Sequence, residues 1–445
     1  MSVRVRFAPS PTGQVHIGNI RTAIFNYLFA RHENGQFLLR VEDTDRERSN
    51  EAAVKGVLDA MEWLGLDVDE EPMYQSTRTE AHLAVAQDLL DRGLAYKADK
   101  GDTGKGEAII FRMPEGSLHF VDVLKGELTK SSEDVQDLVI VRSNGAPVFH
   151  LANVVDDIEM GITHVIRGDD HIENTYRHVA LYEALGAPVP SFCHLPMIVN
   201  QHGKPYSKRD GSAFVGEFRE TGYLPDAFLN YLSLLGWSPG DDLEVMDRQR
   251  LIDLFSLERI RSSASQMDMK KLMWMNGEFM RALSRDVFST GFDQALSDAG
   301  CDAGVHGDAY KASVIALMQE RTKLWADIGR DSGFFFTEAF GFDPKPARKR
   351  LLKDGSAEVL VALRELLLGL QDFSDTAVEA AVRGYGEAND IPVGNLVNPL
   401  RVACSGLGHG PGLFEMLSLL GQDRVCARIE RANALILTGT FPEIP

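Results

Sequence analysis

The chain has 445 residues, 44% hydrophobic and 25% charged. That composition is ordinary for a soluble globular protein of about two to four domains, each large enough for its own core. No stretch approaches the roughly 18 apolar residues of a membrane span, and the first residues carry arginines without a long apolar run, so neither a membrane partner nor a signal peptide is expected. The formal net charge of −19 argues, taken alone, against a nucleic-acid partner. Recognition rests on local patches, however, and Lys345-Pro346-Ala347-Arg348-Lys349-Arg350-Leu351-Leu352-Lys353 is one, whether a solvated helix face or a phosphate-contacting one. The cysteines Cys193, Cys301, Cys404 and Cys426 are scattered and form no C-x-x-C pair. That spacing points to a reducing cytoplasm and to no zinc site.

In chain order, Val3, Val5 and Phe7 alternate with Arg4 and Arg6, a strand period. Pro9, Pro11 and Gly13 end the strand in a turn. Ile20, Ala23, Ile24, Tyr27, Leu28 and Arg31 then follow helical spacing. His16 and Gly18 therefore sit at a helix N-terminus beyond the carboxyl end of a strand, where free N–H groups and the helix dipole favour phosphate. Gly35 turns the chain into Phe37–Glu42, a buried parallel strand ending in Glu42-Asp43-Thr44-Asp45. One residue of that acidic cluster is expected to cap the helix over Ser49–Leu64 while another faces the cleft.

A helix follows over Thr79–Leu90, then a glycine-rich surface loop over residues 97–106. Ile109–Val148 reads as a separate β-rich insertion with a hairpin turn at Asn144-Gly145. Parallel α/β patterning resumes near Phe149: a strand over Thr163–Arg167, a helix over Asn174–Leu185, a strand over Phe192–Val199. The glycine-flanked basic loop Gly203–Gly211 follows. Helical periodicity then runs to the end, with breaks at Arg383–Gly386 and Gly406–Gly412.

Three polar groups converge if the two α/β halves form one sheet. His16 and Gly18 suit a developing phosphate charge. Ser207-Lys208-Arg209 offers a point charge to a triphosphate. Arg6, Glu42 and Arg167 suit a small zwitterion, guanidinium for carboxylate and carboxylate for ammonium. Each also has a plainer reading: a capped turn, a solvated loop, buried ion pairs. The Walker pattern is absent, so nucleotide use rests on His16 and Lys208.

The ordered set Phe7–Gly13, His16–Asn19, Arg40–Asp45, Leu151–Asp157, Val165–His171, Ser207–Arg209, Trp274–Gly277, Pro399–Arg401 and Pro411–Glu415 resembles the glutamyl-tRNA synthetase family, class I aminoacyl-tRNA synthetases, over nearly the whole chain. The resemblance implies a Rossmann-like parallel-sheet catalytic domain with a β-containing insertion, then a mostly α-helical C-terminal half. The implied divisions are 1–80 and 149–199 for the two catalytic halves, 81–148 for an acceptor-end-binding insertion, 200–284 for a stem-contact domain with a K-M-S-K-S-like loop, and 285–445 for an anticodon-binding domain. It implies glutamate activation to an adenylate with ATP and Mg²⁺, then transfer to tRNA-Glu and possibly tRNA-Gln, by a cytoplasmic monomer.

By the same matching, His16, Gly18 and Lys208 are the implied catalytic residues. Pro9, His16, Gly18, Asn19, Ser207, Lys208 and Arg209 are the implied ATP site. Arg6, Ser10, Glu42, Phe149, Asn153 and Arg167 are the implied glutamate site. Lys345, Arg348, Lys349, Arg350 and Lys353 become the implied tRNA contacts. Three departures stand out. Pro205 replaces the loop's first lysine, Phe149 replaces a tyrosine, and the insertion lacks the cysteine-bearing zinc segment of some members. The competing readings are a glutaminyl-tRNA synthetase, against which the Pro9–Gly13 and Glu42–Asp45 elements count, and a non-catalytic tRNA-binding paralogue. A shortened relative that modifies a tRNA base would lack the helical tail.

Overall fold

The computed structural model describes residues 2–44, 51–99 and 106–443. Asp45, part of the acidic cluster, and Gly101–Lys105 of the glycine-rich loop lie outside the described residues. The chain divides into two compact units, Met1–Met275 and Asn276–Pro445.

In the first unit, β1 (Arg4–Phe7) pairs in parallel with β2 (Gln36–Val41), in register Arg4↔Gln36 to Phe7↔Leu39. Between them runs α1 (Ile17–His32), whose Ile20, Ile24, Phe25, Leu28 and Phe29 are all buried. A helix buried around most of its circumference, Arg21 and Asn26 included, belongs in the middle of a core, not on its rim. Gly35 then permits a tight return. A Cβ there would lie 2.4 Å from the Val3 carbonyl oxygen, so only glycine lets the turn press against β1.

After α2 (Glu51–Trp63), β3 (Met73–Tyr74) adds in parallel to β2. Then come α3 (Thr79–Asp91) and the strands β4 (Ala95–Ala98), β5 (Ala108–Phe111), β6 (Ser117–Asp122), β7 (Gly126–Ser131) and β8 (Leu138–Val141). The chain continues through α4 (Phe149–Glu159), β9 (His164–Gly168), α5 (Ile172–Ala184) and β10 (Ser191–Leu195). β9 lies beside β1, where the Thr163 N–H donates to the Arg4 carbonyl at 2.9 Å. β10 pairs in parallel with β9. The carboxyl ends of β1, β2, β9 and β10 thus open on one edge, the place where α/β sheets take ligands.

Several sequence expectations change here. β4, β5 and β8 form their own antiparallel sheet, but β6 joins β10 in parallel at Phe192↔Asp122, so the insertion is not separate from the catalytic sheet. The strand expected over Phe192–Val199 is two strands, β10 and β11 (Ile198–Val199), because Pro196 has no N–H to continue the ladder. β11 pairs with β12 (Ser265–Gln266) instead. β4 covers Lys97 and Ala98, which the loop reading had included. The residues that lead into α2 lie outside the described ones; the Asp43 carboxylate accepts the Ser76 N–H at 2.8 Å and the Ser76 hydroxyl at 2.6 Å, capping the short turn after β3.

The second unit is helical. Its hub is Arg428, 1% exposed, whose guanidinium donates to Glu338 and to the carbonyls of Cys404 and Phe334. Such a buried cation is tolerable because every contact is a charge-assisted or carbonyl hydrogen bond. Arg383–Gly386 does not break the helix here; it lies inside the helix Asp375–Ala388. Gly386 serves packing, since a Cβ there would sit 3.0 Å from the Ile391 carbonyl oxygen. Gly406–Gly412 does form the expected break, between the helices Gly394–Ser405 and Leu413–Leu420.

Candidate active site

At the open sheet edge lies a cavity of about 450 Å³. Arg6, Pro9, Ser10, His16, Gly18, Asn19, Glu42, Phe149, Asn153 and Arg167 all line it. Residues far apart in sequence, on β1, on α1 and on β2, α4 and β9, are thereby gathered into one volume.

One end of the cavity is a charge lattice. Glu42, 8% exposed, takes the Asn153 amide on Oε1 at 2.9 Å and the Arg40 guanidinium on the same oxygen at 3.2 Å. Its Oε2 lies 3.4 Å from the Ser10 hydroxyl. Arg6 donates from Nε and Nη2 to the two oxygens of Asp157, at 2.9 and 3.3 Å. Arg40 bonds the same carboxylate. Burial works to raise the Asp157 carboxyl, but Arg40 and then Arg6 outweigh it and hold it at about 2. Arg167 donates from Nη2 to the Thr175 hydroxyl at 2.8 Å and from Nε to His194 Nε2 at 3.3 Å. Burial, aided by the Arg6 charge, lowers the Arg167 guanidinium to about 10, so it stays a cation at neutral pH. Among the described residues, the Nη1 groups of Arg6 and Arg167 have no hydrogen-bond partner. Each can therefore meet an incoming carboxylate.

The other end starts at α1. His16 is the N-cap: its Nδ1 accepts the Gly18 N–H at 3.1 Å. That bond leaves the proton on Nε2, which donates to the Tyr206 carbonyl at 3.1 Å. Burial lowers the His16 pKa, keeping the ring a neutral donor at neutral pH. Tyr206 belongs to the basic loop, which is braced throughout. Pro205 bridges Val199 in antiparallel fashion, and Asp210 accepts from Asn200 Nδ2 at 2.7 Å and from the Ser207 hydroxyl at 2.9 Å. Proline fits this returning strand because its fixed φ is extended.

The loop's cations are not in the cavity. Lys208 is exposed, with Nζ 3.5 Å from Glu217 Oε1 and 5.8 Å over the Phe214 ring. Ser207 and Lys208 line neither cavity, and Arg209 lines a larger one, about 1010 Å³, bounded by Lys270 and Lys271. Size does not make that larger space the reaction site, since of the sequence candidates it holds only Arg209. Phe149, the first residue of α4, faces His171 and His178, with ring centroids 6.2 and 5.7 Å away. In the second unit, Lys345, Arg348, Lys349 and Lys353 are exposed and Arg350 is half-buried. None of the five pairs with a carboxylate among the described residues.

Sequence reading missed Arg40, Asp157, His194 and Tyr206. Asp156 and Asp157 did carry a signal: two adjacent carboxylates directly after the mostly apolar run Leu151–Val155 must find polar partners if that helix is buried. Asp156 does so differently, accepting from His82 and Gln75, each at 2.8 Å.

Known proteins resemble this chain in sequence and fold. The family described as tRNA synthetases class I (E and Q), catalytic domain, matches residues 2–104 and 98–274, and an anticodon binding domain matches residues 292–433. The chain belongs to the class I aminoacyl-tRNA synthetases. A glutamate–tRNA ligase 1 of Gluconobacter oxydans is 40% identical, covering 96% of this chain and 98% of its own. Glutamate–tRNA ligase 1 of Caldanaerobacter subterraneus is 38% identical, covering 98% of each. A crystal structure of a glutamate tRNA ligase from Elizabethkingia meningosepticum, in complex with its amino acid, superposes with a TM-score of 0.84 at 30% identity. It covers 98% of this chain and 100% of that one. Within its class, the chain is a member of the glutamate–tRNA ligase family, whose members are ATP-dependent aminoacyl-tRNA ligases.

Proposed function

We propose that the chain joins glutamate to ATP in the cavity at the sheet edge and passes the glutamyl group to tRNA-Glu. In the first step the α-carboxylate oxygen attacks the α-phosphorus. An O–P bond forms, the bond to the bridging oxygen breaks, and pyrophosphate leaves. In the second, the hydroxyl of the terminal adenosine attacks the acyl carbon and AMP leaves. The observation that carries this reading is the placement of Arg6, Glu42 and Arg167 in one cavity with His16. Two guanidiniums with a free Nη1 suit the carboxylates of glutamate, and Glu42 suits its ammonium. Ser10, Phe149 and Asn153 complete the amino-acid end.

His16 and Lys208 act on the nucleotide. Neutral His16 offers its Nε2–H to the phosphate once the Tyr206 carbonyl is displaced. Lys208 must swing off Glu217 to add its charge as the pentavalent phosphate forms. Pro9, Gly18, Asn19, Ser207 and Arg209 are the remaining ATP contacts in this reading. Mg²⁺ arrives with the nucleotide. Among the described residues no group of three or more His, Cys, Asp or Glu is placed to hold a metal ion; the ion would supply positive charge to the phosphates it enters with. No step here is routed through it.

Residues 81–148 would hold the acceptor end, 200–284 the stem and 285–445 the anticodon. The exposed cations Lys345, Arg348, Lys349 and Lys353, none paired with a carboxylate among the described residues, form the tRNA face with Arg350. We assign a cytoplasmic monomer. Among the described residues no helix is long and apolar enough to cross a membrane. The test is charging of purified tRNA-Glu and tRNA-Gln with labelled glutamate. Charging of tRNA-Glu supports the reading, with tRNA-Gln charging defining its breadth. Charging of neither overturns it.

A further inference from the structure

We propose that Asp122 and His194 are positioning residues for Arg167, locking its guanidinium in the pose that receives a glutamate carboxylate. The proposal rests on the reading of Arg167 as a glutamate-binding residue.

The chain of bonds fixes its own proton positions. Arg167 Nε–H can only donate, so His194 Nε2, 3.3 Å away, must accept. The imidazole proton is then on Nδ1, which donates to Asp122 Oδ2 at 2.7 Å. Asp122 cannot swing away. Its Oδ2 also accepts the His194 backbone N–H at 3.0 Å, and its Oδ1 accepts the N–H groups of Leu124 and Lys125, each at 2.9 Å. The ring is held flat as well, stacked on Phe192 with centroids 6.0 Å apart and planes 11° apart. Asp122 and His194 are 1% and 0% exposed, so water cannot take over either bond. In the other tautomer Nε2–H would turn to the Thr175 hydroxyl oxygen, 3.0 Å away, and stand as a second donor against the Arg167 Nε–H, so Arg167 would lose that anchor.

The two residues come from different parts of the chain. His194 is on β10 of the catalytic sheet. Asp122 ends β6, at the single position where the insertion's strand pairs with β10. The insertion therefore supplies the anchor for a side chain in the amino-acid pocket, a role distinct from holding the acceptor end.

The test measures KM for glutamate and for ATP in tRNA-dependent pyrophosphate exchange, using the full chain and four variants whose folding is checked by circular dichroism. Arg167→Ala, the control for the underlying reading, raises the glutamate KM by 100-fold or more. His194→Leu keeps the volume but removes the acceptor, and raises the glutamate KM at least tenfold with the ATP KM within twofold. His194→Gln, whose Oε1 can accept where Nε2 did, recovers most of that loss. Asp122→Asn presents an amide donor to Nδ1, pushes the proton to Nε2 and raises the glutamate KM as His194→Leu does. A purely structural role predicts the opposite pattern: both KM values moving together, and no recovery with glutamine. That pattern overturns the proposal, as does an unchanged glutamate KM in His194→Leu and Asp122→Asn while Arg167→Ala is impaired. An unchanged glutamate KM in Arg167→Ala overturns the reading of Arg167 itself.

Discussion

His16 holds the basic loop by its backbone, Nε2–H donating to the carbonyl of Tyr206 at 3.1 Å. One imidazole thus caps α1 with Nδ1 and restrains the loop with Nε2. The donor the phosphate would need is occupied in this arrangement, and nucleotide must compete for it. His16→Ala removes the donor from the transition state but leaves the amino-acid end intact. It is expected to lower kcat for glutamate-dependent pyrophosphate exchange by about 10²- to 10³-fold, with glutamate KM within about twofold. Steady-state exchange with tRNA present checks this. A rise in glutamate KM with unchanged kcat would assign His16 to binding rather than to the reaction.

Lys208 is the loop's matching group, set back from the cavity on Glu217 and the Phe214 ring. In the proposed reaction its charge would matter when the phosphate expands, not when tRNA docks. Lys208→Ala is expected to slow activation by about 10²- to 10³-fold, while the dissociation constant for tRNA changes by no more than about threefold. Single-turnover activation and filter binding of tRNA separate the two. Equal losses would make the loop a tRNA contact only.

Asp157 stabilises the fold through Arg6 and Arg40. Its folded pKa of about 2 lies below the model-peptide value of 3.8. The folded state therefore favours the ionised form. That stabilisation is present in full above the unfolded pKa and is lost as pH falls from about 4 toward about 2; it amounts to about 2 kcal/mol. Asp157→Asn leaves two buried guanidiniums short of a counter-charge and is expected to cost about 3–5 kcal/mol near neutrality. Urea unfolding at pH 6 and pH 3 reads the pH sign. The gap between wild type and variant should narrow at the lower pH, and a constant gap would mean the carboxylate's charge is not what stabilises.

How much of this was legible beforehand depends on how local the cause is. Val3, Val5 and Phe7 alternate because β1 is a strand, and His16 and Gly18 follow a proline-rich turn, so the phosphate end could be read from adjacent residues. Glu42 and Arg167 were legible as strand-end charges once the two halves were placed in one sheet. Arg40 was not, and Asp157 was legible only as a carboxylate in need of some cation, since their partners appear only when β1, β2 and α4 meet. His194 reads as an ordinary core histidine, because only the crossing of β6 onto β10 shows that Asp122 faces it. Pro196 could have warned that the Phe192–Val199 strand breaks. Gly384 and Gly386 misled for the converse reason: glycine weakens a helix by only about 1 kcal/mol, and at Gly386 close packing against Ile391 and Leu396 requires it.

The basic face of the second unit makes a prediction about salt. Lys345, Arg348 and Lys349 are exposed and unpaired with carboxylates among the described residues. If they neutralise tRNA phosphates, replacing all three with alanine weakens tRNA binding and lowers the slope of log K against log salt by roughly two to three. KM for glutamate and ATP should stay within about twofold. Filter binding across a salt series measures it. An unchanged slope would return these residues to the status of a solvated face.

The central claim is that one cavity activates glutamate with ATP. Pyrophosphate exchange by the purified chain tests it directly, with glutamate or glutamine, and with or without tRNA-Glu. The account predicts exchange that depends on glutamate, with cognate tRNA present in at least one condition, and little exchange with glutamine. No glutamate-dependent exchange under either condition, or glutamine outcompeting glutamate, would contradict it.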